Sequence, residues 1–235
     1  MLPICRRVFS CSRFPVSKDR LPFDLSLYLV ANRPSFQDEN LFFSKIKELV
    51  RGGVTCVQLR DHKNDLASVV RTAICLKEMI QGIPLFINTL HPFEVVRAAD
   101  AEGIYLEEKL SYVAAREQLG RKIIIGVPVK TMNEVLAAEH AHEIDYLSVK
   151  VAPSKKTCPR NDQLWGMEGL RSVRAISSRR IVAIGGLHLE CAESIYRELH
   201  LDDGLAAAGG LMEGENPFLT AQKMQTICQR VRGES

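Results

Sequence analysis

The sequence predicts an α/β chain closed into a single (β/α)8 TIM barrel, and three observations carry that prediction. From Leu27 onward, short apolar runs of strand length alternate with amphipathic segments of helix length. Such alternation implies a parallel sheet with helices outside it, and eight units of this kind close the sheet into a barrel. The last two strand-like runs, Arg180-Ile-Val-Ala-Ile-Gly-Gly186 and Asp203-Gly-Leu-Ala-Ala-Ala-Gly-Gly210, both end in paired glycines. A doubly wound open sheet is the competing architecture, but its Gly-rich phosphate turn normally follows the first strand, and here the turns come late.

In chain order, residues 27–31 form the first expected strand and 40–50 an amphipathic helix that ends at Gly52-Gly53, as a C-cap should. Strand 2 spans 54–60, β-branched at its start, and the helix 66–80 follows with Asp65 as N-cap. Strands 3 and 4 fall at 85–87 and 103–106, with a short helix over 92–99 between them. After a helix at 111–119 comes strand 5 at 122–127. Thr131 caps the next helix, which runs to about His142, with Glu134 in capping-box position. Strand 6 at 145–149 leads to a helix at 167–176, and the two glycine-ended strands are followed by helices at 189–199 and 217–231.

The chain has 235 residues, 46% of them hydrophobic and 25% charged, which suits a soluble globular protein with a large core. A net charge of +3, spread along the chain, does not point to nucleic acid. No apolar run approaches membrane-spanning length. The seven cysteines are odd in number and lack a Cys-x-x-Cys pair, so free thiols in a reducing, cytoplasmic setting are expected. Cys56 and Cys75 sit within apolar patterns and read as small core residues. Residues 1–22 differ from the barrel segment 23–235: Arg6, Arg7, Arg13, Lys18 and Arg20 face one acid, Asp19. They read as a disordered basic tail; an organelle-targeting segment or a start codon placed too early has the same character. Assembly into a homo-oligomer is compatible with everything in the sequence.

In a barrel of this type chemistry sits at the C-terminal ends of the strands. Those ends supply Gln58, Arg60, Asp61 and His62 from strand 2, Asn88 from strand 3, and Tyr105, Glu107 and Glu108 from strand 4. Strand 5 gives Lys130, and strand 6 leads into Lys150, Ser154, Lys155 and Lys156. Gly185-Gly186 and Gly209-Gly210 let the backbone approach a ligand and turn its N–H groups toward an oxyanion; Gly-rich turns after buried strands are the plainer alternative. With the rim cations they can hold a monophosphate and a diphosphate, so the expected ligands are phosphorylated small molecules. Gln58 and Arg60 alternate on one face of an otherwise apolar strand, so both are expected to point into the barrel.

Several segments together resemble one family, the thiamine phosphate synthases and their TenI-type relatives. Gly53-Val-Thr-Cys-Val-Gln-Leu-Arg-Asp61 is the most specific match. Leu27-Tyr-Leu-Val30, Pro84-Leu-Phe-Ile-Asn88, Gly103-Ile-Tyr-Leu106, Ile125-Gly-Val127, Asp145-Tyr146, Ala183-Ile-Gly-Gly-Leu187 and Asp203-Gly-Leu-Ala206 follow in the family's order. The resemblance covers about Leu27 to Met212 and leaves out the tail.

It implies a Mg2+-assisted transferase that joins hydroxymethylpyrimidine diphosphate to thiazole phosphate and expels pyrophosphate. By resemblance Gln58 contacts the pyrimidine, Arg60 the diphosphate, and Asn88 sits beside it. By the same resemblance Gly186 and the Gly209-Gly210 turn, with Gly185 beside them, hold the thiazole phosphate; read from the strand ends, His62, Lys130, Ser154 and Lys156 join Arg60 in the candidate catalytic and binding set. The chain also departs from the family. Thr89 stands where a metal-binding Asp is usual, and a second such Asp falls near Lys109 or Leu110. His62 replaces a Lys, Pro128 a Ser, and Ser154-Lys-Lys-Thr157 a Thr-x-Thr-Lys loop. Glu107 and Glu108 are the candidate replacements for the lost metal ligands. A TenI-like thiazole tautomerase, which needs no metal, and a non-catalytic phosphate-binding or regulatory barrel are the alternatives.

Overall fold

The computed structural model describes residues 23–107, 111–152 and 165–234. Its eight strands are β1 (Leu27–Asn32), β2 (Cys56–Asp61), β3 (Leu85–Thr89), β4 (Gly103–Tyr105), β5 (Ile124–Val129), β6 (Tyr146–Lys150), β7 (Arg180–Ile184) and β8 (Gly204–Ala207). They pair in chain order, all parallel, and β8 returns to β1 with Leu205 opposite Leu27, which closes the barrel. Around it lie α1 (Glu39–Arg51), α2 (Leu66–Met79), α3 (Pro92–Ala99), α4 (Tyr112–Leu119), α5 (Met132–His140), α6 (Gly166–Ile176), α7 (Leu189–Tyr196), α8 (Gly209–Met212) and α9 (Pro217–Arg232). The basic segment 1–22 lies outside the described residues.

Local chemistry accounts for most boundaries. Asp65 caps α2 by accepting from the Ser68 N–H at 3.0 Å, and Thr131 caps α5 by accepting from Glu134 N–H at 3.2 Å. The reciprocal half of the expected capping box is displaced by one residue: the Glu134 carboxylate accepts from Lys130 N–H at 2.6 Å. The turn expected at Gly209-Gly210 is the opening of the short helix α8.

Period-two alternation divides the strand residues between two cores. One set packs outward against the helices. The other, including Tyr28, Cys56, Phe86, Ile124, Tyr146, Val182 and Ala206, fills the barrel. Phe23 and Leu25 close its floor, and the Arg180 guanidinium lies 4.4 Å from the Phe23 ring centre while donating to its carbonyl at 2.9 Å. Cys56 is buried there as expected, but Cys75 is exposed. On α2 the buried stripe runs through Val69, Thr72, Ala73 and Leu76, and Cys75 falls off it.

The N-terminal end of the barrel carries one contact four times. The residue just before each even-numbered strand accepts the N–H at the start of the odd-numbered strand beside it. Thr55 Oγ1 takes Leu27 N–H at 3.0 Å, Glu102 takes Leu85 N–H at 2.9 Å, Asp145 takes Ile125 N–H at 2.8 Å and Asp203 takes Ile181 N–H at 2.8 Å. Where the acceptor is an acid, a helix supplies the counter-charge: Lys77 of α2 for Glu102, Arg116 of α4 for Asp145, and Arg174 of α6 for Asp203. The carboxylates of Asp145 and Asp203 are buried and need such partners.

Candidate active site

The inward-facing residues near the C-terminal strand ends line a cavity of about 750 Å³. Strand alternation puts Gln58 and Arg60 on its wall, as expected, and brings Asn88, Glu107 and Lys130 to the same space together with His62. Val30, Ile184 and Ala206 give it apolar wall. The strand-6 residues Ser148 and Lys150 face it too.

Two hydrogen-bonded groups organise the polar side chains. Deep in the barrel the Tyr28 hydroxyl donates to Gln58 Oε1 at 2.9 Å and meets the Tyr146 hydroxyl at 3.0 Å. At the rim His62 Nε2 lies 2.7 Å from Asn88 Oδ1, Asn88 Nδ2 points to Glu107 Oε1 at 3.4 Å, and Glu107 faces Arg60 Nη2 at 3.7 Å. His62 and Glu107 thus orient Asn88 from its two ends. Tyr105 and Ser148 share a hydrogen bond of 2.7 Å across the cavity. Burial pushes the Tyr105 phenol up to about 12, against the opposing pull of the Ser148 hydrogen bond. The phenols of Tyr28 and Tyr146 are raised well above the usual range by the same cause, so both remain neutral hydroxyls.

The glycine pairs differ. Gly185 and Gly186 line the cavity with φ of 109° and 61°. These left-handed conformations suit glycine and turn the backbone at the cavity wall. Gly209 and Gly210 stand directly after Ala208, itself a lining residue, and belong to the first turn of α8. First-turn N–H groups have no partner within a helix. Glu108, Ser154, Lys155 and Lys156 lie outside the described residues. Asp61 is not a site residue: its buried carboxylate accepts from the N–H groups of Lys63 and Asn64 at 3.1 Å and from Asn64 Nδ2 at 2.6 Å, which shapes the turn after β2.

For a divalent cation the donor set is sparse. Among the described residues no group of three or more His, Cys, Asp or Glu side chains is placed to hold a metal ion. Glu107 is the one carboxylate among the described lining residues, and Thr89 Oγ1 is buried without a partner. Mg2+ is commonly held by one or two carboxylates together with substrate phosphates. These residues therefore fit an ion carried in with a diphosphate, not a preformed protein cage.

A model of the thiamine monophosphate synthase family matches residues 27–201, which is the barrel from β1 through α7. The chain belongs to that family. A thiamine-phosphate synthase of Albidiferax ferrireducens is 33% identical over 212 residues, covering 88% of this chain and 93% of the relative. One from Azorhizobium caulinodans is 34% identical over 216 residues, covering 90% and 98%. Among solved structures, the thiamine phosphate pyrophosphorylase of Pyrococcus furiosus superposes with a TM-score of 0.75 at 25% identity, covering 88% of this chain and 96% of that one.

The motifs that resemble this thiamine monophosphate synthase family divide into two kinds. Asp145 and Asp203 are buried clamps at the far end of the barrel from the cavity. Gln58, Arg60, Asn88 and Gly185-Gly186 meet in the cavity. Tyr28, Tyr146 and Ser148 were not among the residues singled out from sequence, although their signal exists: each is a polar side chain at an inward position of a strand.

Proposed function

We propose that this chain is a transferase of the thiamine phosphate synthase type, joining hydroxymethylpyrimidine diphosphate to thiazole phosphate with release of pyrophosphate. The observation that carries the proposal is one cavity in which a buried carboxamide, Gln58, meets the cations Arg60, Lys130 and Lys150 and the turned backbone of Gly185-Gly186. The apolar wall at Val30 and Ala206 takes the pyrimidine ring, with Gln58 at its edge. Arg60, whose loose pairing with Glu107 gives way to the ligand, grips the diphosphate as a fork, and Asn88 adds a donor whose orientation His62 and Glu107 hold. The thiazole phosphate rests on the N–H groups of Gly185, Gly186, Gly209 and Gly210.

In the reaction the bond between the pyrimidine methylene carbon and the diphosphate oxygen breaks, and the thiazole nitrogen bonds to that carbon. Charge develops on the departing pyrophosphate, and Arg60, Lys130 and Lys150 stabilise it from fixed positions. Glu107, together with the diphosphate oxygens, would hold Mg2+, which supplies further charge neutralisation on the leaving group. We assign Ser154 and Lys156, in the loop that follows strand 6 in sequence, to the substrate site, and Glu108, the neighbour of Glu107 in sequence, to the Mg2+ ligands. The TenI-type tautomerase alternative calls for a catalytic His after β5, where Lys130 lines the cavity instead. Free thiols at Cys56, Cys75, Cys191 and Cys228 accord with work in the reducing cytoplasm. None of the described helices is long and apolar enough to cross a membrane.

The test is pyrophosphate release with both substrates and Mg2+. Release that requires both substrates supports the proposal. No release at any Mg2+ concentration overturns it in favour of the tautomerase or a binding barrel.

A further inference from the structure

Among the described residues Gln58 carries the one side-chain carboxamide hydrogen-bonded to a phenol, and the polarity of that contact has a chemical consequence. An amide presents an acceptor at one end and a donor at the other, and a half-turn about its last bond exchanges them. Tyr28 donates to Oε1 at 2.9 Å, and Tyr28 is in turn the hydrogen-bond partner of Tyr146 at 3.0 Å. Each phenol has one proton. If Tyr146 donates to Tyr28 and Tyr28 to Gln58, both protons are used. With the amide reversed, Gln58 would donate to Tyr28 and Tyr28 to Tyr146, leaving the Tyr146 proton without an acceptor among the described residues. A buried donor left unmade is costly, so the first direction is favoured.

The chain is held firmly at its far end. Tyr146 packs edge-on against Phe86 and Tyr28, with ring centres 5.8 and 6.2 Å apart. It also fills the space over Gly126, where an added Cβ would lie 2.0 Å from its ring. The hydroxyl therefore has no room to swing away. Neutral phenols, kept so by burial, preserve both donors.

We propose that Tyr28, anchored by Tyr146, is a positioning residue that fixes the polarity of the Gln58 carboxamide and so makes the cavity selective for an aminopyrimidine over an oxopyrimidine. The inference rests on the proposed assignment of the pyrimidine to Gln58. An aminopyrimidine edge offers a ring-nitrogen acceptor beside an amine donor; its oxo counterpart offers a ring N–H donor beside a carbonyl acceptor. The two are reversed copies of each other. With Oε1 held toward Tyr28 and still able to accept once more, Gln58 presents Nε2–H to the ring nitrogen and Oε1 to the amine. The oxo ring would set donor against donor and acceptor against acceptor.

The test is calorimetric binding of the aminopyrimidine diphosphate and of its analogue with a keto oxygen in place of the amine. Binding is measured without thiazole phosphate, so ring reactivity does not enter. Wild type should prefer the amino compound by at least about ten-fold, the scale of one reversed bidentate contact. In Tyr28→Phe the carboxamide is released to turn, and the preference should fall by about ten-fold or more while affinity for thiazole phosphate stays unchanged. Tyr146→Phe, which removes the donor to Tyr28, should shift the preference the same way and carries the test if Tyr28→Phe does not fold. A preference that survives in both variants overturns the inference and leaves the functional proposal standing. Failure of wild type to bind the aminopyrimidine diphosphate overturns both.

Discussion

Arg60 faces Glu107 across the mouth of the barrel, Nη2 to Oε1 at 3.7 Å, with half of the arginine side chain and 45% of the glutamate exposed. A pair at this distance and exposure contributes about 0–1 kcal/mol to folding. It gives way readily to a ligand that offers the guanidinium two oxygens at once.

Arg60→Met should therefore leave thermal stability nearly unchanged while weakening the pyrimidine diphosphate by about ten-fold or more, near 1.4 kcal/mol per decade. Calorimetry and a melting curve on the same sample separate the two effects. Unchanged affinity would reduce Arg60 to a charge partner of Glu107.

The metal requirement of the reaction is the second point open to measurement. With Thr89 Oγ1 buried and unpartnered, and Glu107 the carboxylate available, the Mg2+ concentration for half-maximal pyrophosphate release should be unusually high. Thr89→Asp should lower it and Glu107→Gln should raise it. Three superimposable Mg2+ titrations would remove the ion from this part of the mouth.

Alkaline pH probes the barrel interior. The phenols of Tyr28 and Tyr146 are raised by burial, and Tyr105 is raised from 10.0 to about 12. Below about pH 10 folded and unfolded chains both keep these protons. Between about 10 and 12 the unfolded chain loses them first, so the folded state binds more protons and stability falls as pH rises. The slope approaches ~1.4 kcal/mol per pH unit for each tyrosine involved. Tyr105→Phe should flatten the decline of Tm over that interval, and an unaltered slope would mean that the phenol titrates normally.

Asp203 offers a control for stability without chemistry. It takes two contacts from Arg174 Nη1, at 2.8 and 2.9 Å, and the N–H groups of Ile181 and His200, each at 2.8 Å. Asp203→Asn removes the charge opposite a buried guanidinium and should cost about 3 kcal/mol. In a chain of this size that is a fall in Tm of about 10 °C. The KM values of both substrates, measured below the transition, should not move.

The eight strands and their helices were legible because apolar periodicity is a property of neighbours in sequence. The inward placement of Gln58 and Arg60 was legible for the same reason. Partnership was not. Nothing local separates Asp61, folded back onto Asn64, from a carboxylate that faces substrate. Tyr28 and Tyr146 are 118 positions apart and meet only because the barrel closes. Cys75 looked like core because its neighbours are apolar, yet the buried stripe of α2 passes on either side of it. The clamps were hidden likewise: in sequence Asp145 and Asp203 are acids beside apolar strand runs, and their partners Ile125 and Ile181 lie about twenty residues upstream.

That fourfold clamp has a consequence for how the ring can be opened. Each clamp ties an odd strand to the even strand that follows it, so the chain is a circle of four modules joined by seams. A circular permutant whose new ends lie at Gly82, an exposed seam position between α2 and β3, keeps all four N–H contacts of the clamps within one continuous stretch and divides only the Lys77–Glu102 ion pair. New ends at His142, between β5 and β6, turn the contact of Asp145 with Ile125 into one between the two extremities of the polypeptide. The first permutant should fold nearly as well as the parent, and the second should be the weaker by the worth of one module's internal closure.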